Sequence, residues 1–545
     1  MHDAVSLAPT GRERRLSRLL SRLRSSVRAQ APARVETALA VLSALLLILS
    51  FPDFNLWPLA WIGLVPLLVA VVRAPQLNVR AFLLGWIAGT LFFYGSCYWL
   101  TYSMVRYGHI PKVIAYLLLF PITMIVGLFP ALSCLVLARL VARWGVRALL
   151  LMPLVWVAFE WARLGVTGQL WNAIGYSQAY MPQLIRTARW GGVYAVGFLI
   201  VLSNAALAFL LLKRSLRALA VSTAICAGIA LIIALPGGTA PVEKQKAAAV
   251  VVAIQPNVPM EPVEDLSETE ALIARHLSLS ASALSELKDE RAAVPRVVIW
   301  PESPMNFTYA RDSEFRETVA GFTSQQRTSV IFNALEPAPA NGDYNSAVMV
   351  NEDGRLVAQY DKIRLLPFGE YVPLPRWLPG VNLVPVMVGD FTPGAQYPLL
   401  PLGEARAGIF ICFESAFPSI ARRFADEGAD VLINISNDGY LGPTPVMRQH
   451  LANAIFRAVE NDRPVLRVTN TGISAYITPR GEVLDATGGF QTATRTWTVT
   501  RTTGGKTFYT AHGDLFVALC AALSLLLIIM SLKSQVPRPK SGSRT

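Results

Sequence analysis

Up to about Pro236 the chain is a succession of long uncharged apolar runs. A helix needs roughly 20 mostly apolar residues to cross the hydrocarbon core of a bilayer. By that test spans are expected near 35–51, 57–73, 80–101, 112–139, 148–164, 193–212 and 216–235, and again at 514–532. The interruption from about Val242 to Asp514 reads as a soluble mixed α/β segment. The chain therefore divides into a basic segment (1–34), a membrane domain of about seven helices (35–236), an extramembrane domain (237–512) and a last span with its tail (513–545). Composition agrees: 16% of residues are charged, where soluble proteins carry about 25%. Pro52, Pro58 and Pro66 make the first pair of segments a tight, re-entrant-looking hairpin.

The net charge of +13 does not form a basic stripe with interleaved aromatics, so nucleic acid is not the expected partner. Arg73 and Arg80, then Arg139, Arg143 and Arg147, then Lys213, Arg214 and Arg217 mark alternate loops on the side of the basic N-terminus. Both termini are then cytoplasmic, and the domain at 237–512 faces outward. Residues 12–28 read as an amphipathic helix for an anionic bilayer surface, with a disordered basic tail as the alternative. Trp57, Trp61, Trp86, Trp99, Trp156, Trp161, Trp171 and Trp190 fall near span ends, where indoles anchor to the lipid interface. Glu160, close to a span end, is either functional or paired with Arg163.

Of five cysteines, Cys97, Cys134, Cys226 and Cys520 sit in apolar runs as expected for buried thiols. Only Cys412 lies in the soluble-looking domain. The cysteine and histidine spacing supports neither a metal site nor a disulfide framework, and no cofactor is expected.

Within that domain, Lys246 to Ile254 and Val294 to Trp300 are β-branched runs suited to buried strands, with helical periodicity from Glu268 to Leu287 between them. Further strands are expected at 329–334, 346–351, 406–412, 431–436, 464–469 and 474–478, and helices at 417–426 and 444–459. Three junctions concentrate unusual residues: Trp300-Pro301-Glu302, Tyr360-Asp361-Lys362 running on to Pro367-Phe368-Gly369-Glu370, and Ile411-Cys412-Phe413-Glu414. Singly, each has a plain reading. Cys412 can be a core hydrophobe, Glu302 a helix cap, and Lys362 a surface cation.

Together, the order Glu302, Lys362, Cys412 at three strand ends resembles the nitrilase (carbon-nitrogen hydrolase) superfamily. Spans followed by such a domain and one last span resemble the apolipoprotein N-acyltransferases of bacterial envelopes, over all but the arginine-rich N-terminus. The resemblance implies a multi-span α-helical membrane domain plus an α/β nitrilase-like domain, an αββα sandwich. It also implies a bacterial inner-membrane location, a phospholipid acyl donor and a diacylglyceryl lipoprotein acceptor. Gln255-Pro256-Asn257, Glu370, Glu414, Asn434 and Ser436-Asn437-Asp438-Gly439 match the family pattern. Tyr440-Leu441 stands where Trp-Phe is frequent, and Phe413 where Tyr is common.

The residue types suit the chemistry. A thiol becomes nucleophilic beside a base and a cation. Glu302 fits the base and Lys362 the cation. Lys362 with the backbone N–H of Phe413 can hold an oxyanion, and Glu370 and Glu414 are expected to position Lys362, with ordinary structural salt bridges as the alternative. A membrane-anchored amidase with the same triad, and a transporter or receptor with a non-catalytic outer module, are the competing readings.

Overall fold

The computed structural model describes residues 31–73, 78–235, 246–260, 266–287, 294–302, 307–339, 342–372, 377, 389–502 and 504–533. The amphipathic helix expected at 12–28 and the tail after 533 lie outside them.

Apolar runs become helices wherever they are long enough to bury backbone polar groups internally. Helix α1 (Arg34–Ser50) turns at Phe51–Asn55 into two short helical pieces and α2 (Val65–Arg73). The hairpin is tied by the Leu67 N–H donating to Ser43 Oγ at 2.9 Å. α3 (Asn78–Ser96) ends sooner than expected, and α4 (Leu100–Arg106) follows as a separate helix. α5 (Lys112–Trp144) runs through Pro121 and Pro130, and a 3₁₀ segment joins it to α6 (Met152–Thr167). α7 (Ala188–Lys213) and α8 (Leu216–Ala234) follow, and a C-terminal helix (Leu515–Lys533) packs on α6 and α7. Among the described residues, five stretches are long and apolar enough to cross a membrane: Asn78–Ser96, Lys112–Thr167, Ala188–Lys213, Leu216–Ala234 and Leu515–Leu532. α1 and the Trp57–Arg73 segment are shorter.

Close packing of α3 on α5 depends on small residues one turn apart. A Cβ on Gly85 would lie 2.7 Å from the Pro130 carbonyl oxygen, and one on Gly89 2.8 Å from Pro130 Cγ. Without a hydrophobic drive between helices in lipid, such backbone approach supplies the attraction. Gly85→Val is therefore expected to cost roughly 1–3 kcal/mol through overpacking, read as a lower melting temperature of the detergent-solubilised protein. An unchanged melting temperature would show that this contact is not tight.

The second half of the chain forms two six-stranded sheets. The first contains β1 (Ala247–Gln255), β2 (Arg296–Ile299), β3 (Ser329–Pro337), β4 (Asp343–Val350) and β5 (Leu356–Asp361). The second contains β6 (Leu400–Leu402), β7 (Ala405–Ile411), β8 (Val431–Ser436), β9 (Val465–Thr469), β10 (Ala475–Ile477) and β11 (Val483–Leu484). β12 (Ala493–Thr500) returns to pair with β1. β1, β2 and β3 are parallel, as are β7, β8 and β9.

Strand alternation sorts the layers. Ala249, Val251, Ala253, Val297 and Ile299 share a core with Ile409, Ile411 and Ile433 of the second sheet. Val252, Ile254, Val298 and Val330 instead pack with Leu284 of α9 (Leu266–Ser285) and with Phe315 and Val319 of α10 (Ser313–Gln326). On the far side, α11 (Pro418–Asp426) and α12 (Val446–Asn461) cover the second sheet, and α12 lies against α7. The order is helix, sheet, sheet, helix.

β5, β6, β11, β12, α4 and α10 are additions to the sequence reading. β12 escapes because its Ala-Thr-Arg-Thr-Trp-Thr-Val-Thr run fully buries only Trp497 and Val499. α7 has a break at Gly191-Gly192, where Gly192 takes φ +63°. Glu460 of α12 accepts the freed Val193 N–H at 3.0 Å, so the sheet domain caps a membrane helix.

Candidate active site

Each of the three junction residues leaves the end of a strand. After β2, the Trp300 N–H still donates to the Ile331 carbonyl at 2.8 Å, and Pro301, with no N–H to give, ends the ladder before Glu302. After β5, the Lys362 N–H donates to the Asn345 carbonyl at 2.8 Å. After β7, Cys412 takes φ +50° and opens a one-turn 3₁₀ helix, Cys412–Ala416. A left-handed residue that is not glycine is strained unless its surroundings hold it. Here the Ile411 N–H donates to Glu414 Oε2 at 2.8 Å, and His450 Nε2 lies 2.9 Å from the Cys412 carbonyl oxygen.

The strand ends bring the charges together. Lys362, 1% exposed, places Nζ 2.8 Å from Glu370 Oε1 and 3.5 Å from Glu302 Oε1. The Asn345 amide bridges the two carboxylates, donating to Glu370 Oε1 at 2.7 Å and to Glu302 Oε1 at 3.3 Å. Glu302 Oε2 accepts the Asn437 N–H at 3.1 Å, so both of its oxygens are held. Burial pushes the Cys412 thiol well up, and the Glu302 carboxylate adds to this while Lys362 opposes it. The resting nucleophile is therefore a thiol that needs a base. Burial alone would lower Lys362, but Glu370 first and Glu302 second raise it above the ordinary lysine range, so the ammonium persists.

The supporting residues divide. Glu370 contacts the ammonium directly, and its Oε2 accepts the Leu366 N–H at 2.7 Å. Glu414 acts at one remove. It accepts from the backbone N–H groups of Ile363 (2.8 Å) and Arg364 (3.0 Å) and from the Tyr360 hydroxyl, tying the segment after Lys362 to the cysteine turn. Asn437 reaches Glu302 through its backbone, while its side-chain oxygen accepts the Gly439 N–H at 3.1 Å. The Phe413 ring stacks on Trp171 at 6.0 Å, and Tyr440 packs edge-on to Tyr107 at 5.8 Å. Both aromatics thus join the sheet domain to the membrane helices, with Ser103 Oγ donating to the Tyr440 carbonyl at 2.8 Å.

Other site residues were not anticipated from sequence. Asn345 is the amide bridge. His450 Nδ1 lies 2.7 Å from Asp438 Oδ1, and Arg467 donates to both oxygens of the same carboxylate. Gln449 is a junction: its Oε1 accepts from the indoles of Trp99 (3.0 Å) and Trp171 (2.9 Å), and its Nε2 donates to the Ser96 carbonyl (2.9 Å). Trp99 and Trp171 are correspondingly buried rather than lying at the lipid interface as the sequence suggested. Glu160 and Arg163 brace the loop that carries Trp171: Glu160 accepts the Ile174 N–H at 2.8 Å, and Arg163 donates to the Trp171 carbonyl at 2.9 Å. Among the described residues, no group of three His, Cys, Asp or Glu side chains is placed to hold a metal. A half-buried thiol beside a carboxylate and an ammonium is equipped for covalent acyl transfer.

Two family models match the chain in succession. The apolipoprotein N-acyltransferase N-terminal domain covers residues 43–206, and carbon-nitrogen hydrolase covers 247–507. The chain is 34% identical over 505 residues to an apolipoprotein N-acyltransferase of Geobacter metallireducens, spanning 90% of this chain and 94% of that protein. It is 30% identical over 477 residues to an apolipoprotein N-acyltransferase of Rhizobium meliloti, spanning 82% and 86%. Among solved structures, an amidase from Nesterenkonia sp. aligns with 52% of this chain and 99% of its own, at 16% identity and a TM-score of 0.35.

Proposed function

The chain belongs to the apolipoprotein N-acyltransferase family, and from that premise we propose that Glu302, Lys362 and Cys412 are the base, the cation and the nucleophile of its acyl transfer. It is a membrane enzyme of lipoprotein maturation with a nitrilase-like domain. The donor is a membrane phospholipid, and the acceptor is the N-terminal amine of a diacylglyceryl-cysteine lipoprotein. The observation that supports this reading best is the convergence of the three side chains at strand ends that rest on the membrane helices. Two lipid-anchored substrates can then reach one site by lateral diffusion.

Glu302 takes the Cys412 proton as sulfur attacks the ester carbonyl carbon. The oxyanion is held by the Lys362 ammonium and the Phe413 N–H. The ester C–O bond breaks, Glu302 returns the proton to the lysolipid oxygen, and the acyl group remains as a thioester on Cys412. The acceptor amine then attacks that carbonyl, giving up a proton to Glu302. The C–S bond breaks, the amide departs, and the proton returns to sulfur.

Acyl-labelled phospholipid supplied without acceptor should leave hydroxylamine-sensitive label on Cys412. A lipopeptide with a free N-terminus should discharge it onto the amine, and one with a blocked N-terminus should not. Release as free fatty acid at a rate indifferent to lipopeptide would make the protein a hydrolase.

The cation asymmetry of the loops supports an inner-membrane enzyme with cytoplasmic termini and an outward-facing catalytic domain. Glu352, exposed in the β4–β5 turn, is the place for a probe. In a Cys412→Ala background, Glu352→Cys should react with an impermeant maleimide in intact spheroplasts. Reaction only after permeabilisation would reverse the topology.

A further inference from the structure

We propose that His450 is a positioning residue that works as an imidazolium, clamping and polarising the Cys412-Phe413 peptide whose N–H receives the oxyanion. This rests on Cys412 being the nucleophile, as above. The geometry supplies the reason. The two ring nitrogens of His450 face two oxygens: Cys412 O at 2.9 Å from Nε2 and Asp438 Oδ1 at 2.7 Å from Nδ1. A backbone carbonyl can only accept, so Nε2 must donate. Asp438 also accepts from Arg467 (2.9 Å to Oδ2) and from Ser436 (3.3 Å to Oδ1), as a carboxylate does. Burial would raise that acid, but Arg467 first and His450 next bring it down to about 2. With an acceptor at each nitrogen, only a ring carrying both protons satisfies both contacts.

Asp438 comes from the turn after β8, Arg467 from β9, and Cys412 from the end of β7. The Trp171 indole lies 5.6 Å from the ring, on the membrane side. The same indole stacks on Phe413 and donates to Gln449, the residue before His450. The ring is thus fixed from both domains.

The consequence lies in the peptide unit itself. The Cys412 carbonyl and the Phe413 N–H belong to one amide. A charged donor on its oxygen draws electron density away from its nitrogen, so the N–H at the other end becomes a stronger donor. It also fixes the left-handed turn at Cys412 that aims that N–H.

The test separates acylation from thiol reactivity. Alkylation of Cys412 by iodoacetamide forms no oxyanion, whereas thioester formation from phospholipid does. In detergent-solubilised full-length His450→Gln, alkylation should fall only a few-fold, and thioester formation should fall roughly 10- to 100-fold further in kcat with little change in KM. Nitrogen-15 NMR of histidine-labelled wild-type protein should show both His450 nitrogens protonated at neutral pH, by difference from the variant. Equal loss of alkylation and acylation would reduce His450 to a structural prop, and a neutral ring at pH 7 would overturn the polarisation. A wild-type enzyme that forms no thioester at all would overturn the nucleophile assignment and this inference with it.

Discussion

Glu302→Gln should lower acyl transfer by roughly two to four orders of magnitude, the usual worth of a positioned general base, while leaving a folded protein. Glu302 Oε1 accepts from Asn345 and faces Lys362, and Oε2 accepts the Asn437 N–H. Glutamine keeps the shape but has one acceptor oxygen, so its NH₂ must face a donor whichever way it turns. One lost bond of that kind costs about 1–3 kcal/mol, visible as a modest drop in melting temperature. Thiol ionisation should move the other way. The Glu302 carboxylate raises Cys412, so its removal eases ionisation while taking away the carrier that must return a proton to the lysolipid. Alkylation of Cys412 should therefore persist where acylation collapses. Turnover within tenfold of wild type would exclude Glu302 as the base.

That three residues separated by 60 and 50 positions could be read as one site from sequence has a physical cause. Glu302 and Cys412 end apolar β-branched runs, where an unusual side chain announces itself locally, whereas the run before Lys362, Leu-Val-Ala-Gln-Tyr-Asp, is half polar and Lys362 was legible only through the motif around it. The membrane helices were legible for a similar reason, since apolar length is a property of a continuous stretch. Contacts that cross the chain leave no such mark. Gln449 meets Ser96 and Trp99 across more than 340 residues, and a glutamine on a helix has the same local pattern whether its partner is water or an indole. Trp99 and Trp171 sit near helix ends either way, so their sequence positions could not separate lipid anchors from struts. α12 hid its role in the same way. At about 100° per residue Gln449, His450, Arg457 and Glu460 fall on one stripe of the helix, which by pattern reads as a solvent face, yet all are buried.

Lys362→Arg should be nearly inactive although it preserves the charge, because the site is built around a compact ammonium. Nζ lies between Glu370 at 2.8 Å and Glu302 at 3.5 Å, and the residue is 1% exposed. A guanidinium is larger and planar, with donors in a fixed fork. Reaching Glu370 would displace Asn345, which shares that carboxylate oxygen. The oxyanion then loses a donor, an effect of roughly 10²- to 10³-fold in kcat. Lys362→Met separates catalysis from stability. It leaves Glu302 and Glu370 without their cation, and breaking a buried pair in this way costs roughly 3–5 kcal/mol. Adding Glu370→Gln removes one of the stranded charges, so the double variant should recover much of the melting temperature lost by Lys362→Met and none of the turnover. If it recovered both, or if Lys362→Arg turned over like wild type, Lys362 would be a structural counter-ion and the oxyanion would have to rest on the Phe413 N–H alone.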